Sequence, residues 1–222
     1  MLLVAVATDQ EISPLQQRYA TQQRIKILIT GIGPVLAAVN LGHYLAGQGA
    51  GVDAVLNVGV AGAYVGSDAG LLDICLARHE VVGDFGICMQ DEILDFDAGN
   101  VQQKSSISLD KMFSGQISGI LQQNSIPHKV VNFVTVNSCS GTRKRGEYLQ
   151  KKFAACCENM EGAGVALVCK KFSIPCAELR CVSNMVDDRN RDSWLLNEAT
   201  EKICWAIDII LRDYLKGWPQ EK

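Results

Sequence analysis

Short apolar runs of strand length alternate with helix-length patterns through most of this chain, and few architectures accommodate that rhythm. The runs are Leu2 to Ala7, Ile25 to Thr30, Ala54 to Val58, Ile74 to Ala77, Lys129 to Val136 and Ala177 to Val182. Between several of them lie helical patterns at Val35 to Leu45, Leu109 to Gln123, Glu147 to Lys152 and Glu161 to Phe172. Such alternation predicts an α/β fold, a mixed, mostly parallel β-sheet flanked by helices. A last helix, Trp194 to Leu215, places Leu196, Ala199, Ile203, Ala206, Ile207 and Ile210 on one stripe that should pack on the sheet. At 222 residues, with no repeat and no Pro/Ser-rich linker, residues 1–222 are expected to form a single domain. The acidic stretch Cys88 to Ser106, with Asp91, Glu92, Asp95 and Asp97, reads as a long solvated loop rather than a metal site.

Composition excludes several classes of partner. A net charge of -3 gives no basic patch for nucleic acid or an acidic membrane. The apolar start, Met1 to Ala7, lacks a basic leader and reaches Asp9 and Glu11 too soon for a signal peptide, so it reads as a buried strand. No apolar run approaches the roughly 18 residues of a spanning helix. Nine cysteines, an odd number without a C-x-x-C pair, sit mostly in apolar segments (Cys75, Cys169, Cys181, Cys204) and are expected to be reduced thiols of a cytoplasmic protein. His43, His79 and His128 lack zinc-ligand spacing, so no metal is expected.

Two glycine segments follow strands. Thr30-Gly31-Ile32-Gly33-Pro34-Val35-Leu36 superficially resembles a dinucleotide fingerprint, but Leu36 stands where close helix packing needs a third glycine and Pro34 follows Gly33 directly. A nicotinamide or flavin cofactor is therefore not expected. The plainer reading is a tight turn with Pro34 at the first helical position. Asn57-Val58-Gly59-Val60-Ala61-Gly62-Ala63 reads as a loop beside a strand end, where small residues let a ligand approach the main chain. Further on, Cys157-Glu158-Asn159-Met160-Glu161-Gly162-Ala163 puts an acid where a strand gives way to a helix, and Leu179-Arg180-Cys181-Val182-Ser183-Asn184 ends a strand on an amide. Both should face one cleft, at the carboxyl ends of parallel strands.

Met160-Glu161-Gly162-Ala163 and Arg180-Cys181-Val182-Ser183-Asn184 resemble the Met-Glu-Xaa-Ala and Arg-Xaa-Xaa-Ser-(Asp/Asn) segments of the nucleoside phosphorylase and nucleosidase superfamily. With Asp9-Gln10-Glu11-Ile12, Gly31-Ile32-Gly33 and Asn57 to Gly62 in the same order, the resemblance spans residues 2 to 210. It implies a nucleoside phosphorylase-like fold, a small-molecule nucleoside substrate, no cofactor and, since such relatives are often homodimers, a homo-oligomer of two or more chains.

Within that resemblance hydrolysis is favoured over phosphorolysis. The arginines with which hexameric purine phosphorylases hold phosphate are absent: the early segment is Ala7-Thr8-Asp9-Gln10-Glu11, and Asn57 stands before the second glycine segment. Glu11 occupies the place where nucleosidases hold the residue that activates water, and a carboxylate repels phosphate but accepts a proton. Its plain reading is a solvated acid at a helix N-terminus. The resemblance casts Glu161 as the group binding the ribose hydroxyls, with Met160 on the sugar face and Gly33, Ala61 and Gly62 lining the site. Asn184 lies where adenine-specific nucleosidases hold an aspartic acid that protonates N7. An amide can only donate a hydrogen bond to N7 or O6, which points to a 6-oxopurine.

The run Ser183 to Trp194, with Arg189, Arg191 and Trp194, is similar in type and spacing to the futalosine hydrolases, which remove hypoxanthine from futalosine on the alternative route to menaquinone. A lid of guanidinium groups and an aromatic plane suits that substrate's carboxyphenyl tail. The plain reading is a helix start capped by Asp192 or Ser193 with Arg191 solvated. Two other readings stay open: a methylthioadenosine/S-adenosylhomocysteine nucleosidase, from which Asn184 and the Arg-rich lid depart, and a noncatalytic nucleoside-binding protein.

Overall fold

Hydrophobic alternation along the first strand sets the layering. In the computed structural model, which describes residues 1–89, 92–96 and 106–217, Leu2, Val4 and Val6 enter one core cluster while Leu3 and Ala5 enter another on the opposite face. This is the two-residue period of a strand buried on both faces. The elements are β1 (Leu2–Val6), a 3-10 turn (Asp9–Glu11), α1 (Ser13–Tyr19), β2 (Ile25–Ile29), α2 (Pro34–Gln48), β3 (Ala54–Tyr64), β4 (Ile74–Val82), β5 (Ile87–Met89), β6 (Glu92–Leu94) and β7 (Ser106–Ser108). They continue with α3 (Lys111–Gln123), β8 (Lys129–Thr135), α4 (Arg143–Phe153), β9 (Cys157–Asn159), α5 (Gly162–Phe172), β10 (Cys176–Val186), a second 3-10 turn (Arg191–Ser193) and α6 (Leu196–Lys216).

The sheet is mixed. Ladders β1–β2, β1–β3, β3–β10, β4–β8 and β8–β9 are parallel, whereas β4–β10, β3–β9 and β4–β7 are antiparallel. Because β10 pairs both β4 and β3, the path β3–β9–β8–β4–β10 returns to β3 and closes a ring, from which β1 and β2 extend. The alternation of apolar runs gave no sign of this closure.

Helices α3 and α6 cover one face through Phe113, Ile117, Leu121, Ile203, Ile207 and Ile210. Helices α2 and α5 cover the other through Ala37, Leu41, Leu45, Val165 and Cys169. The expected stripe on α6 is buried except for Leu196, which sits at the mouth of a cavity. Pro34 is the first residue of α2, as the turn reading requires.

Two expectations need correction. Asn57 to Ala63 is no loop: β3 runs unbroken from Ala54 to Tyr64 because β1, β10 and β9 pair along it. The acidic stretch after Cys88 is not simply solvated either. Its described part holds the hairpin β5–β6, pinned to α4 because Ile93 is buried and its N–H donates to the Tyr148 hydroxyl at 3.0 Å. Asp91 and Asp97 lie outside the described residues. Among the described residues no helix is long and apolar enough to cross a membrane.

Candidate active site

The ends of β3, β9 and β10 enclose a cavity of about 690 Å³, within the usual range for small-ligand sites. Its acidic centre is organised by Arg180, a guanidinium only 2% exposed on β10. Nε donates to Glu178 Oε1 at 2.8 Å; Nη1 donates to Glu161 Oε2 at 3.0 Å and to the Val60 carbonyl at 3.1 Å. Burial opposes the charge, but Glu178, Glu161 and Glu11 outweigh it and hold the guanidinium more firmly protonated than usual.

Glu161 closes β9 against α5. One carboxylate oxygen takes the Arg180 contact, and the other accepts from the Gly33 N–H at 3.0 Å. Gly33 has φ +95°, a conformation disfavoured for side-chain-bearing residues, and this turns its N–H toward the acid before Pro34 starts α2. The side chain of Asn159 accepts from the N–H groups of Glu161 (2.9 Å) and Gly162 (2.8 Å), satisfying donors that the start of α5 would otherwise leave bare. With two donors on its four lone-pair sites, Glu161 retains acceptor capacity toward the cavity.

Glu11 reaches the same place from the opposite side. Thr8 donates to Oε2 through its N–H (3.1 Å) and hydroxyl (3.0 Å), and the Val60 N–H approaches Oε1 at 3.3 Å. A methyl at Gly59 would lie 2.8 Å from Glu11 Oε1 and 3.1 Å from Arg180 Nη1. The glycine therefore leaves the space in which carboxylate and guanidinium sit side by side. Cys204, on α6, donates its thiol to the Glu11 carbonyl at 3.0 Å; burial, then the Glu11 charge, pushes that thiol up to about 11.

At the other end of the cavity Asn184 is held by Ser183, whose hydroxyl donates to Oδ1 at 2.9 Å. The amide nitrogen hangs over Gly62, where an added Cβ would meet it at 3.1 Å. Glu158 faces it from β9, buried, accepting from the Ser140 N–H (2.7 Å), the Ser140 hydroxyl (2.6 Å) and the Tyr64 hydroxyl (3.3 Å). Burial pushes this carboxyl above the ordinary range even against those donors.

Of the residues expected at a site, Glu11, Ala61, Gly62, Met160, Glu161, Asn184 and Trp194 line one cavity. Gly33 touches it only through Glu161. Arg189 and Arg191 are exposed and do not line it; their guanidinium carbons lie 5.2 and 6.0 Å from the centre of the Trp194 ring. The segment is no cap for α6, which starts at Leu196; Asn190 instead caps the 3-10 turn by accepting from Asp192 N–H at 3.1 Å. Sequence reasoning missed Arg180 and Glu158, although the quoted motifs contained them, and missed Ser140 and Glu201, which carry no local signal. Of the thiols, Cys88 and Cys139 are exposed, and Cys139 lines the cavity.

Behind the site Glu80 and Glu178 are fully enclosed. Burial first, then the charge of Glu178, holds Glu80 well above the carboxylate range. Thr135 and Asn159 donate to Glu80, which ties the pair to the residue that caps α5.

A model of the phosphorylase superfamily matches residues 12–212. The chain is 31% identical over 189 residues to the futalosine hydrolase of Thermus thermophilus, covering 84% of this chain and 80% of that protein. It is 32% identical over 143 residues to an aminodeoxyfutalosine nucleosidase of Helicobacter pylori, covering 63% and 59%. Among solved structures, a futalosine hydrolase mutant of Helicobacter pylori has the same fold, with TM-score 0.83 at 22% identity over 96% of this chain and 98% of that one. A methylthioadenosine/S-adenosylhomocysteine nucleosidase from Neisseria meningitidis in complex with methylthio-immucillin-A follows at TM-score 0.80 and 19% identity, covering 96% and 98%. A closed mixed sheet with its acidic cavity at the ends of β3, β9 and β10, and a sequence matched over nearly its whole length, place this chain in the phosphorylase superfamily.

Proposed function

We propose that this chain is an N-glycosidase that hydrolyses futalosine, releasing hypoxanthine. The observation that carries this reading is the charge of the cavity: Glu11, Glu158, Glu161 and Glu201 line it together with one guanidinium among the described residues, that of Arg180, which is already taken by carboxylates. Such a wall suits water and a sugar and repels phosphate. Glu11 accepts a proton from water, whose oxygen bonds to the anomeric carbon as the bond to the purine nitrogen breaks. The electron pair leaves on the base, which is protonated from solvent. The free lone pairs of Glu161 accept from the ribose hydroxyls, and Met160 packs on the sugar. Asn184 donates its amide N–H to N7 or O6 of the departing oxopurine anion. Trp194, with Arg189 and Arg191 stacked on it, meets the carboxyphenyl tail at the cavity mouth.

The whole chain is read as one hydrolase domain of a cytoplasmic enzyme. Homo-oligomerisation is part of the proposal because Ile32, Val35, Leu36 and Val39, each more than half exposed, form an apolar strip that begins at the cavity through Ile32. A monomer by sedimentation at assay concentration would remove that element.

Incubation with futalosine, its 6-amino counterpart, inosine and methylthioadenosine, with and without phosphate, tests the reaction. Hypoxanthine should appear from futalosine at a rate that phosphate leaves unchanged. Adenine release from methylthioadenosine as the faster reaction would select the methylthioadenosine nucleosidase reading instead, and no free base from any substrate would leave a binding protein.

A further inference from the structure

Gly62 is the ladder partner of two polar residues at once: Glu158 across the antiparallel pairing with β9 and Asn184 across the parallel pairing with β10. Directly paired residues share a face of the sheet, so the acid and the amide stand on either side of Gly62, whose missing side chain leaves room for Val186 Cγ2 and the Asn184 amide, 2.8 and 3.1 Å from where a Cβ would lie. Two strand spacings, about 9–10 Å, separate their α-carbons. Both side chains line the cavity, one on each side of Gly62. On one side stands a donor, the Asn184 amide nitrogen over Gly62. Facing it is an acceptor: Glu158 has four lone-pair sites, and Ser140 and Tyr64 fill three, with Oε1 taking only the Ser140 N–H. Three donors on one carboxylate also fix its direction, so the remaining site is a placed one.

We propose that Glu158 is the residue that reads position 1 of the purine, its Oε1 accepting from N1–H of a 6-oxopurine and repelling the N1 lone pair of a 6-aminopurine. Asn184 and Glu158 then read opposite features of the same base, O6 or N7 as acceptor and N1–H as donor. The acid adds to the selectivity of Asn184, whose Oδ1 is taken by the Ser183 hydroxyl, because N7 accepts in either base whereas a carboxylate can pair only with a base that carries a proton at N1. This inference rests on the nucleoside hydrolase reading above.

Binding of the free bases separates the two. Calorimetry on the wild type should show hypoxanthine bound roughly ten- to a hundredfold more tightly than adenine or 1-methylhypoxanthine, the scale of one charge-assisted hydrogen bond. Glu158→Gln should shrink that preference by tenfold or more for free bases and, in kcat/KM, for futalosine against its 6-amino counterpart. A variant that weakens hypoxanthine and adenine by the same factor would show that Glu158 only holds the Ser140 segment, and would overturn the proposal. So would a wild type indifferent to N1 methylation, a result that needs no variant to fold. Base discrimination without cleavage of any nucleoside would sink the hydrolase reading and leave the recognition role standing, whereas futalosine cleavage with an unmoved base preference in Glu158→Gln would do the reverse.

Discussion

The inner wall of the cavity and its outer rim solve opposite problems with the same side chains. Inside, Arg180 and Glu161 are 2% and 4% exposed, and they are held by Glu178 on the same strand, by the Val60 carbonyl on β3, by the Gly33 N–H before α2 and by each other, at 2.8 to 3.1 Å. On the rim, Arg189 and Arg191 are exposed; their guanidinium groups lie beside the Trp194 ring, and that of Arg189 also donates to Cys139 Sγ at 3.6 Å. A buried charge must be well partnered to persist, so the inner groups are pinned in one arrangement. Exposed guanidinium groups lose little by moving, which leaves the rim free to adapt to a substituent of variable shape.

The comparison breaks first at Glu11. Glu11→Gln should lower kcat by roughly 10² to 10⁴ while unfolding stays cooperative, the usual worth of a general base; near-normal turnover by a folded variant would move the water-activating role elsewhere. Arg180→Met tests whether the wall is a single unit. Removing the cation strands Glu178 and Glu161, and chemical denaturation should report a loss of about 3–5 kcal/mol; a loss under about 1 kcal/mol would mean that water already screens the network.

Next in size is a pH effect on the Glu80–Glu178 pair. Because burial raises the folded-state pKa of Glu80 above its unfolded value near 4.3, the native state holds an extra proton between the two values. That contribution is complete below the unfolded pKa and is lost as pH rises through the folded one, with a slope of up to about 1.4 kcal/mol per pH unit. Glu80→Gln cannot titrate, so its stability relative to the wild type should climb with pH across that window. Parallel stability profiles would contradict that extra proton. The smallest effect belongs to the rim. Trp194→Ala should raise KM for futalosine less than tenfold, in line with about 0.5–1 kcal/mol for an exposed cation–ring contact, and leave kcat intact. A hundredfold loss in kcat would place Trp194 with the inner wall.

How far the sequence carried depended on how local each signal was. Met160-Glu161, Glu11 and Gly31-Ile32-Gly33 were legible because each sits beyond a strand at a junction the apolar pattern marks and carries a superfamily motif; Ser183-Asn184 was legible through its motif alone, since β10 does not end there but runs on to Val186. The carboxylates of Glu80 and Glu178, nearly one hundred positions apart, meet only because α5 begins with Gly162, where a Cβ would lie 2.1 Å from one and 2.4 Å from the other. No periodicity reports such a meeting. Ring closure was hidden for the same reason: the β3–β9 and β4–β10 pairings are matters of register between distant segments. Asn57 to Ala63 misled because glycines that make room for Glu11, Arg180 and Asn184 look locally like a loop.

The closed ring also governs when the enzyme can come into being on the ribosome. Strand β3 gains β1 as soon as the first sixty or so residues have emerged, but its other long neighbour is β10, some 120 positions later. Loop-closure entropy must be met over that distance before the pairing gives anything back. Until Val186 has cleared the exit tunnel, Glu11 and Glu161 have no Arg180 between them, and the half-made sheet exposes an apolar edge along β3 for the length of the remaining translation. The interval between the emergence of β3 and that of β10 is thus when the chain carries its longest strand without that strand's longest partner.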